Sequence, residues 1–160
     1  MRLSTPVQRR LYEDWRVRRH RRIPRRADFD PAALSYILGR LSLVEVWRDP
    51  LRFKARVHGT NLAHHLGIEL TGKFFDDAPK SKYLGEVIAH FADVTTHERP
   101  SFAWLINEAA HPPIRENESL VLPLSHDGDR VDFLLAGVVH HRQFSLAEMP
   151  HVYNRIAPLE

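Results

Sequence analysis

Between Phe53 and Phe75 the hydrophobic period of the chain changes, and nothing else in the sequence restricts the fold as much. Phe53, Ala55 and Val57 alternate with Lys54, Arg56 and His58, the two-residue period of a half-buried strand. Gly59 breaks the alternation. Thr60 or Asn61 then caps a short helix over residues 60–66, and Gly67 and Gly72 bracket a loop that ends in Phe74-Phe75. A strand that feeds directly into a short helix calls for a mixed architecture, whose arrangement is set by the elements on either side.

Upstream, Thr5-Pro6-Val7-Gln8 is a helix start, with Thr5 as cap, Pro6 at the first helical position and Gln8 able to reach back. Val7, Leu11 and Trp15 recur every four residues with Tyr12 beside them, drawing an apolar stripe flanked by arginine, and Ile23-Pro24 ends the helix. The stripe either docks on the chain's own sheet or forms a dimer contact through Val7, Leu11 and Trp15. Asp30-Pro31 starts a second short helix reaching about Leu38, before Gly39. Its largely apolar composition argues against a DNA-recognition helix, which needs an exposed polar face.

Residues 41–47 and 51–58 form a hairpin about the turn Arg48-Asp49-Pro50. Residues 80–98 are a longer amphipathic helix, with Leu84, Val87, Ile88, Phe91 and Val94 on one face and Arg99-Pro100 as its stop. Three more strands follow over residues 101–109, 118–125 and 130–141. The last two are joined by Asp127-Gly128-Asp129, a hairpin signal. The result is an α+β fold: five antiparallel strands with helices packed mainly on one face, preceded by an N-terminal amphipathic helix. The organisation expected is a basic helix over residues 1–26, one domain over 27–145 and a tail over 146–160 that is weakly helical at best.

Composition narrows the function. With 43% apolar and 27% charged residues the chain matches a globular protein, and it has no apolar run of the roughly 20 residues that span a bilayer. Zero cysteines fit a cytoplasmic protein and exclude any mechanism that needs a protein thiol. Residues 1–26 hold ten arginines against Glu13 and Asp14, a net +8; since the whole chain carries +3, the remainder carries −5. A solvated helix face accounts for this cluster better than nucleic-acid binding does.

Further matches occur in order along the chain: Trp15, Ile23-Pro24, Arg26-Ala27-Asp28-Phe29-Asp30-Pro31, Phe53, Arg56, Gly59-Thr60, Gly67, Leu70-Thr71-Gly72, then Leu122-Pro123-Leu124 before Gly128. In these residues and in its element order the chain resembles PAS domains, and among them the PAS_5 family of α-proteobacterial proteins, over residues 11–142. The resemblance implies a cytoplasmic, non-enzymatic sensory or scaffolding module that binds a small molecule or a partner protein. The family prescribes no ligand, so the cofactor stays unknown.

In the PAS arrangement the sheet and helices enclose a cavity. Its expected lining is Phe75, Tyr83, Phe91, Trp104 and Phe133, with Arg56 or His58 as polar anchor, Arg56 suiting a carboxylate or phosphate. Filling of an ordinary core by these aromatics is the competing reading. His90 and His97 on the long helix are candidate haem ligands, and a flavin without an adduct is open, yet neither has a supporting motif. One member of each pair His64-His65 and His140-His141, with His58, could converge on zinc; without a recognised spacing no metal site is expected. Catalysis is not expected either, since no nucleophile elbow, phosphate loop or HExxH occurs, and a Glu108–Asp132 pair across strands is unspecific. With no effector domain in view, signalling would pass through a homodimer or an unidentified partner protein, with nucleic acid the weaker alternative.

Overall fold

Thr5 begins the first helix as its sequence dictates: its hydroxyl accepts the Gln8 backbone N–H at 3.4 Å, and Pro6 occupies the first turn. The computed structural model describes residues 3–20, 22–107, 114–144 and 155–158. Helix α1 spans Pro6–Arg18 and stops before the expected Ile23-Pro24. The reason is a competing backbone pairing. Pro24 accepts from the Ser125 N–H at 2.9 Å and the Arg26 N–H donates to the Ser125 carbonyl at 2.8 Å, so this segment runs extended.

The short helix expected from Pro31 is replaced by two 3-10 turns, Pro31–Leu34 and Leu38–Arg40, the first capped by Asp30 on the Ala32 N–H at 2.9 Å. Leu34 and Ile37, three residues apart, are both buried, and the tighter turn places such a pair on one side.

Strands β1 (Leu41–Trp47), β2 (Arg52–His58), β3 (Ser101–Asn107), β4 (Ile114–Leu124) and β5 (Phe133–Phe144) are the five the sequence predicts. They form one antiparallel sheet in the order β2-β1-β5-β4-β3. A sixth strand, β6 (Arg155–Pro158), pairs with β3 at the edge, in a tail whose residues predict weak helix at best. A four-residue segment containing proline carries no strand signal of its own. Its conformation comes from the open edge it joins.

Helices α2 (Thr60–Leu66) and α3 (Lys82–His97) lie with the turn Phe75–Asp77 on one face of this sheet. Ser81 caps α3 through the Leu84 N–H at 3.1 Å. That layer buries Val44, Phe53, Ala55, Leu70, Phe75, Leu84, Phe91, Val94 and Leu134. Helix α1 and the 3-10 turns take the opposite face, burying Leu3, Leu11, Trp15, Ile37, Phe102, Leu120 and Leu122.

The contact under α1 is close and partly polar. The Gln8 side-chain amide donates to the Glu118 carbonyl at 2.7 Å and the Gly137 carbonyl at 3.0 Å, and the Trp15 indole N–H donates to the Pro123 carbonyl at 2.8 Å. Glu118 is itself fully buried; its carboxylate accepts from the Ser4 N–H at 2.9 Å and the Ser4 hydroxyl, and pairs with His141 at 2.6 Å. A methyl group at Gly137 would stand 2.5 Å from Leu11 Cδ2, so only glycine admits the helix at this height.

This packing favours docking on the chain's own sheet over a dimer contact as the role of the stripe. Leu11 is 0% and Trp15 1% exposed, and Val7 packs partly buried on the same layer, so the stripe faces the chain's own sheet. Full burial of each large side chain is worth about 1.5–3 kcal/mol, and a contact with a second copy would have to give that up first.

Candidate functional site: a histidine-lined cavity

Strand β2 holds one residue more than its ladder uses. Leu43 pairs with Val57 and Val44 with Ala55, so Arg56 is left over as a β-bulge. Simple alternation groups Val57 with Phe53 and Ala55 and sets His58 opposite them. The bulge reverses this: Val57 is 46% exposed, and His58, at 9% exposure, turns toward α2 and α3. There it pairs with Ser42 across β1 and lies edge-on to Phe75, ring centroids 6.4 Å apart.

His58 enters a cavity of about 50 Å³ between the sheet and the helices. Its walls come from Ser42 of β1, Leu62, His65 and Leu66 of α2, Phe75, then Tyr83, Leu84, Val87 and Phe91 of α3. Asn107 of β3, Ser119 of β4 and Ala136, Val138 and His140 of β5 complete the lining. Phe75 and Phe91 meet edge to face at 5.0 Å and form the apolar end. His65 and His140 stack with centroids 3.7 Å apart. Burial pushes the Tyr83 phenol above its ordinary range, and the Asn117 side chain hydrogen-bonds to it.

His58 itself is unusual. Among the described residues neither Nδ1 nor Nε2 has a hydrogen-bond partner, although both are buried. Burial holds its imidazolium below the usual range, with Glu69 opposing weakly, so the ring is neutral near pH 7. A neutral imidazole offers one donor and one acceptor, and leaving both unmet costs about 1–3 kcal/mol per group. The cavity that the ring borders offers a place where they can be satisfied.

Of the residues expected to line a pocket, His58, Phe75, Tyr83 and Phe91 come together here. The other three do not. Arg56 is the bulge residue and pairs with Glu45 at 2.8 Å, in a shallow groove that also contains Phe133. Trp104 stacks on His141 at 5.2 Å on the α1 side of the sheet. Strand parity explains both aromatic errors: Asn107 faces the cavity and Trp104, three residues before it, cannot; Phe133 likewise opposes Leu134 and Ala136. Without Arg56 the carboxylate or phosphate anchor is gone.

The histidine expectations resolve similarly. His58, His65 and His140 do line one cavity, but the His65 and His140 rings lie face to face, 27° from parallel, rather than aiming their nitrogens at a common point. Among the described residues no group of three ligating side chains is placed to hold a metal ion. His90 is buried away from the cavity, its Nε2 2.6 Å from the Ser101 hydroxyl; burial pushes it down to about 4. His97 is exposed and pairs with Asp93 at 3.1 Å. Neither can ligate a haem in this space, and about 50 Å³ holds neither a haem nor a flavin ring system. Glu108, one half of the proposed carboxylate pair, lies outside the described residues, as do Arg2, Arg21 and most of the C-terminal tail.

The family model of PAS_5, a PAS domain, matches residues 3–139. The chain belongs to the PAS_5 family. The match begins at residue 3, so it takes in α1, and it agrees with the α+β architecture. No curated protein and no solved structure matches this PAS domain. Among the described residues no helix is long and apolar enough to cross a membrane.

The arginines of this PAS domain are engaged largely with the chain itself. Arg9 donates to the Leu3 carbonyl at 2.9 Å, Arg16 pairs with Glu13 at 2.8 Å, Arg22 with Asp129, and Arg25 with Asp28 at 3.0 Å. Arg10 lies over Tyr36 at 3.9 Å, Arg18 over Phe29 at 4.8 Å and Arg19 over Trp15 at 5.5 Å.

Proposed function

We propose that this PAS domain is a non-enzymatic, cytoplasmic sensory or regulatory module in which a small molecule in the His58 cavity changes how α1 lies on the opposite face. The observation that carries the reading is an alternation along β4 and β5. Ser119, Ala136, Val138 and His140 line the cavity. Their neighbours Glu118, Gly137 and His141 hold α1 and Ser4 through the Gln8 and carboxylate hydrogen bonds. One pair of strands therefore carries the ligand on one side and the helix on the other. A ligand that favours one strand arrangement biases the helix by its difference in affinity for the two states.

The output is read by a partner protein, or by a second copy of the chain, that binds a surface altered when α1 moves. Leu11 and Trp15 become available to such a partner only when the helix lifts.

Native mass spectrometry of freshly purified protein, set beside its denatured mass, tests the ligand. Hydrogen exchange of residues 6–18 before and after the ligand is stripped tests the coupling. A non-covalent mass excess whose removal changes α1 protection is expected. A bound ligand with unchanged α1 protection would refute the coupling, and a bare native mass together with no response to added ligands would refute the sensor.

A further inference from the structure

We propose that the cavity takes a small uncharged molecule of about four to six heavy atoms carrying one hydrogen-bond donor and one acceptor, an amide or its equivalent, with His58 as anchor. This rests on the reading that the cavity is a ligand site and adds the ligand's size and charge.

Size comes from the free volume. About 50 Å³ is room for about four waters, since one needs about 10–15 Å³ by the same measure. Charge comes from the lining: among the described residues no arginine, lysine, aspartate or glutamate borders the cavity. A carboxylate or phosphate entering it would meet no arginine or lysine and an ammonium no carboxylate, and an unpaired charge removed from water is strongly penalised.

The polar requirement comes from His58. It is nine-tenths buried, borders the cavity and has both nitrogens unpartnered among the described residues. Its neutral form presents a donor on one nitrogen and an acceptor on the other. Ser42, its partner across the strands, already donates its hydroxyl to the Val57 carbonyl at 3.1 Å, so it can offer a ligand only acceptor lone pairs. A primary amide has an N–H for an acceptor and a carbonyl for a donor. A short alkyl end would face Phe75, Leu84 and Phe91.

Three probes of similar size separate these properties: propionamide, propionate and propylammonium, titrated at pH 7.5 into protein whose histidine ring signals are followed by NMR. The His58 resonance is assigned by its loss in His58→Leu. Propionamide is expected to shift that resonance saturably, with a Kd at least tenfold below those of the two ions. It should also lose its effect on the Tyr83 ring signals in His58→Leu.

Equal or tighter binding of either ion overturns the charge assignment while leaving the cavity as a ligand site. Undiminished propionamide binding in His58→Leu overturns the anchor. No response to any probe, in protein whose native and denatured masses agree, overturns the ligand-site reading and this inference together. Because the three probes are compared on the unaltered protein, and the Tyr83 ring signals report binding beside those of the histidines, the ranking of the three affinities tests the charge assignment even if the variant does not fold.

Discussion

Gly137→Ala tests how closely α1 is bound to the sheet. The added methyl would stand 2.5 Å from Leu11 Cδ2 and 3.4 Å from Ile37 Cδ1, against an ordinary carbon–carbon separation of about 3.5–4.0 Å. Leu11 is fully buried, so a displacement of about 1 Å must propagate into α1 or the sheet. Overpacking of this kind costs about 1–3 kcal/mol. Reduced freedom of the unfolded chain returns about 0.4–1 kcal/mol. The variant should therefore lose about 1–2 kcal/mol in urea denaturation, a fall in Tm of about 3–6 °C for a chain of this length. Leu11→Ala alone should lose about 2–5 kcal/mol through the cavity it leaves. In the double variant the new methyl enters the vacated space, so stability should be at least that of Leu11→Ala alone, a coupling of about 1.5 kcal/mol or more. Losses that add to within about 0.5 kcal/mol would show that the two sites do not touch, and the account of α1 docking would be wrong.

Other outcomes follow from the same geometry. His90, pushed down to about 4 by burial, stays neutral when folded but takes a proton near pH 6.5 when unfolded, so stability falls as pH drops from 6.5 toward 4. About 2 kcal/mol should be lost between pH 7 and 5 in urea titrations; His90→Gln should flatten that slope, and an unchanged slope assigns it elsewhere. Trp15→Arg should unfold the protein, seen as loss of the cooperative thermal transition, because it buries a cation and removes the hydrogen bond to Pro123; a folded monomer obtained from a dimer would restore the intermolecular role of the stripe. Fluorescence anisotropy with a DNA duplex should give no binding tighter than about 10⁻⁴ M at physiological salt. Tight binding that falls steeply with salt and is lost when Arg18, Arg19, Arg21 and Arg22 become alanine would revive the nucleic-acid reading.

The sequence exposes what short-range chemistry controls. Strand β1 and helix α2 start and stop at the predicted residues, because alternation, Gly59 and the left-handed Gly67 are all local signals. The aromatic pair Phe75 and Phe91 is legible for the same reason: each sits on the apolar side of its own element. Which face of the sheet α1 covers is a long-range property. An arginine-flanked stripe suits either side or a second copy, and the choice is made by the buried Gln8, whose amide reaches the Glu118 and Gly137 carbonyls, and by the absence of a side chain at Gly137. Trp104 lies on the other face because alternation separates two faces without saying which one borders a cavity. Ser119 had no signal at all, and β6 owes its conformation to an edge strand more than 50 residues earlier.

The surplus residue in β2 bears on how sequences of this kind should be aligned. Removing Arg56 would leave Ala55 followed directly by Val57 and His58, an unbroken alternation that still turns the histidine inward. A one-residue gap opposite Arg56 in a related sequence is thus compatible with an unchanged cavity. A sequence of the same length with a regular, unbulged strand would have a hydrocarbon at position 57 facing in and its histidine in solvent. In this part of the fold, the polarity of the interior is recorded in the count of residues as much as in their identity.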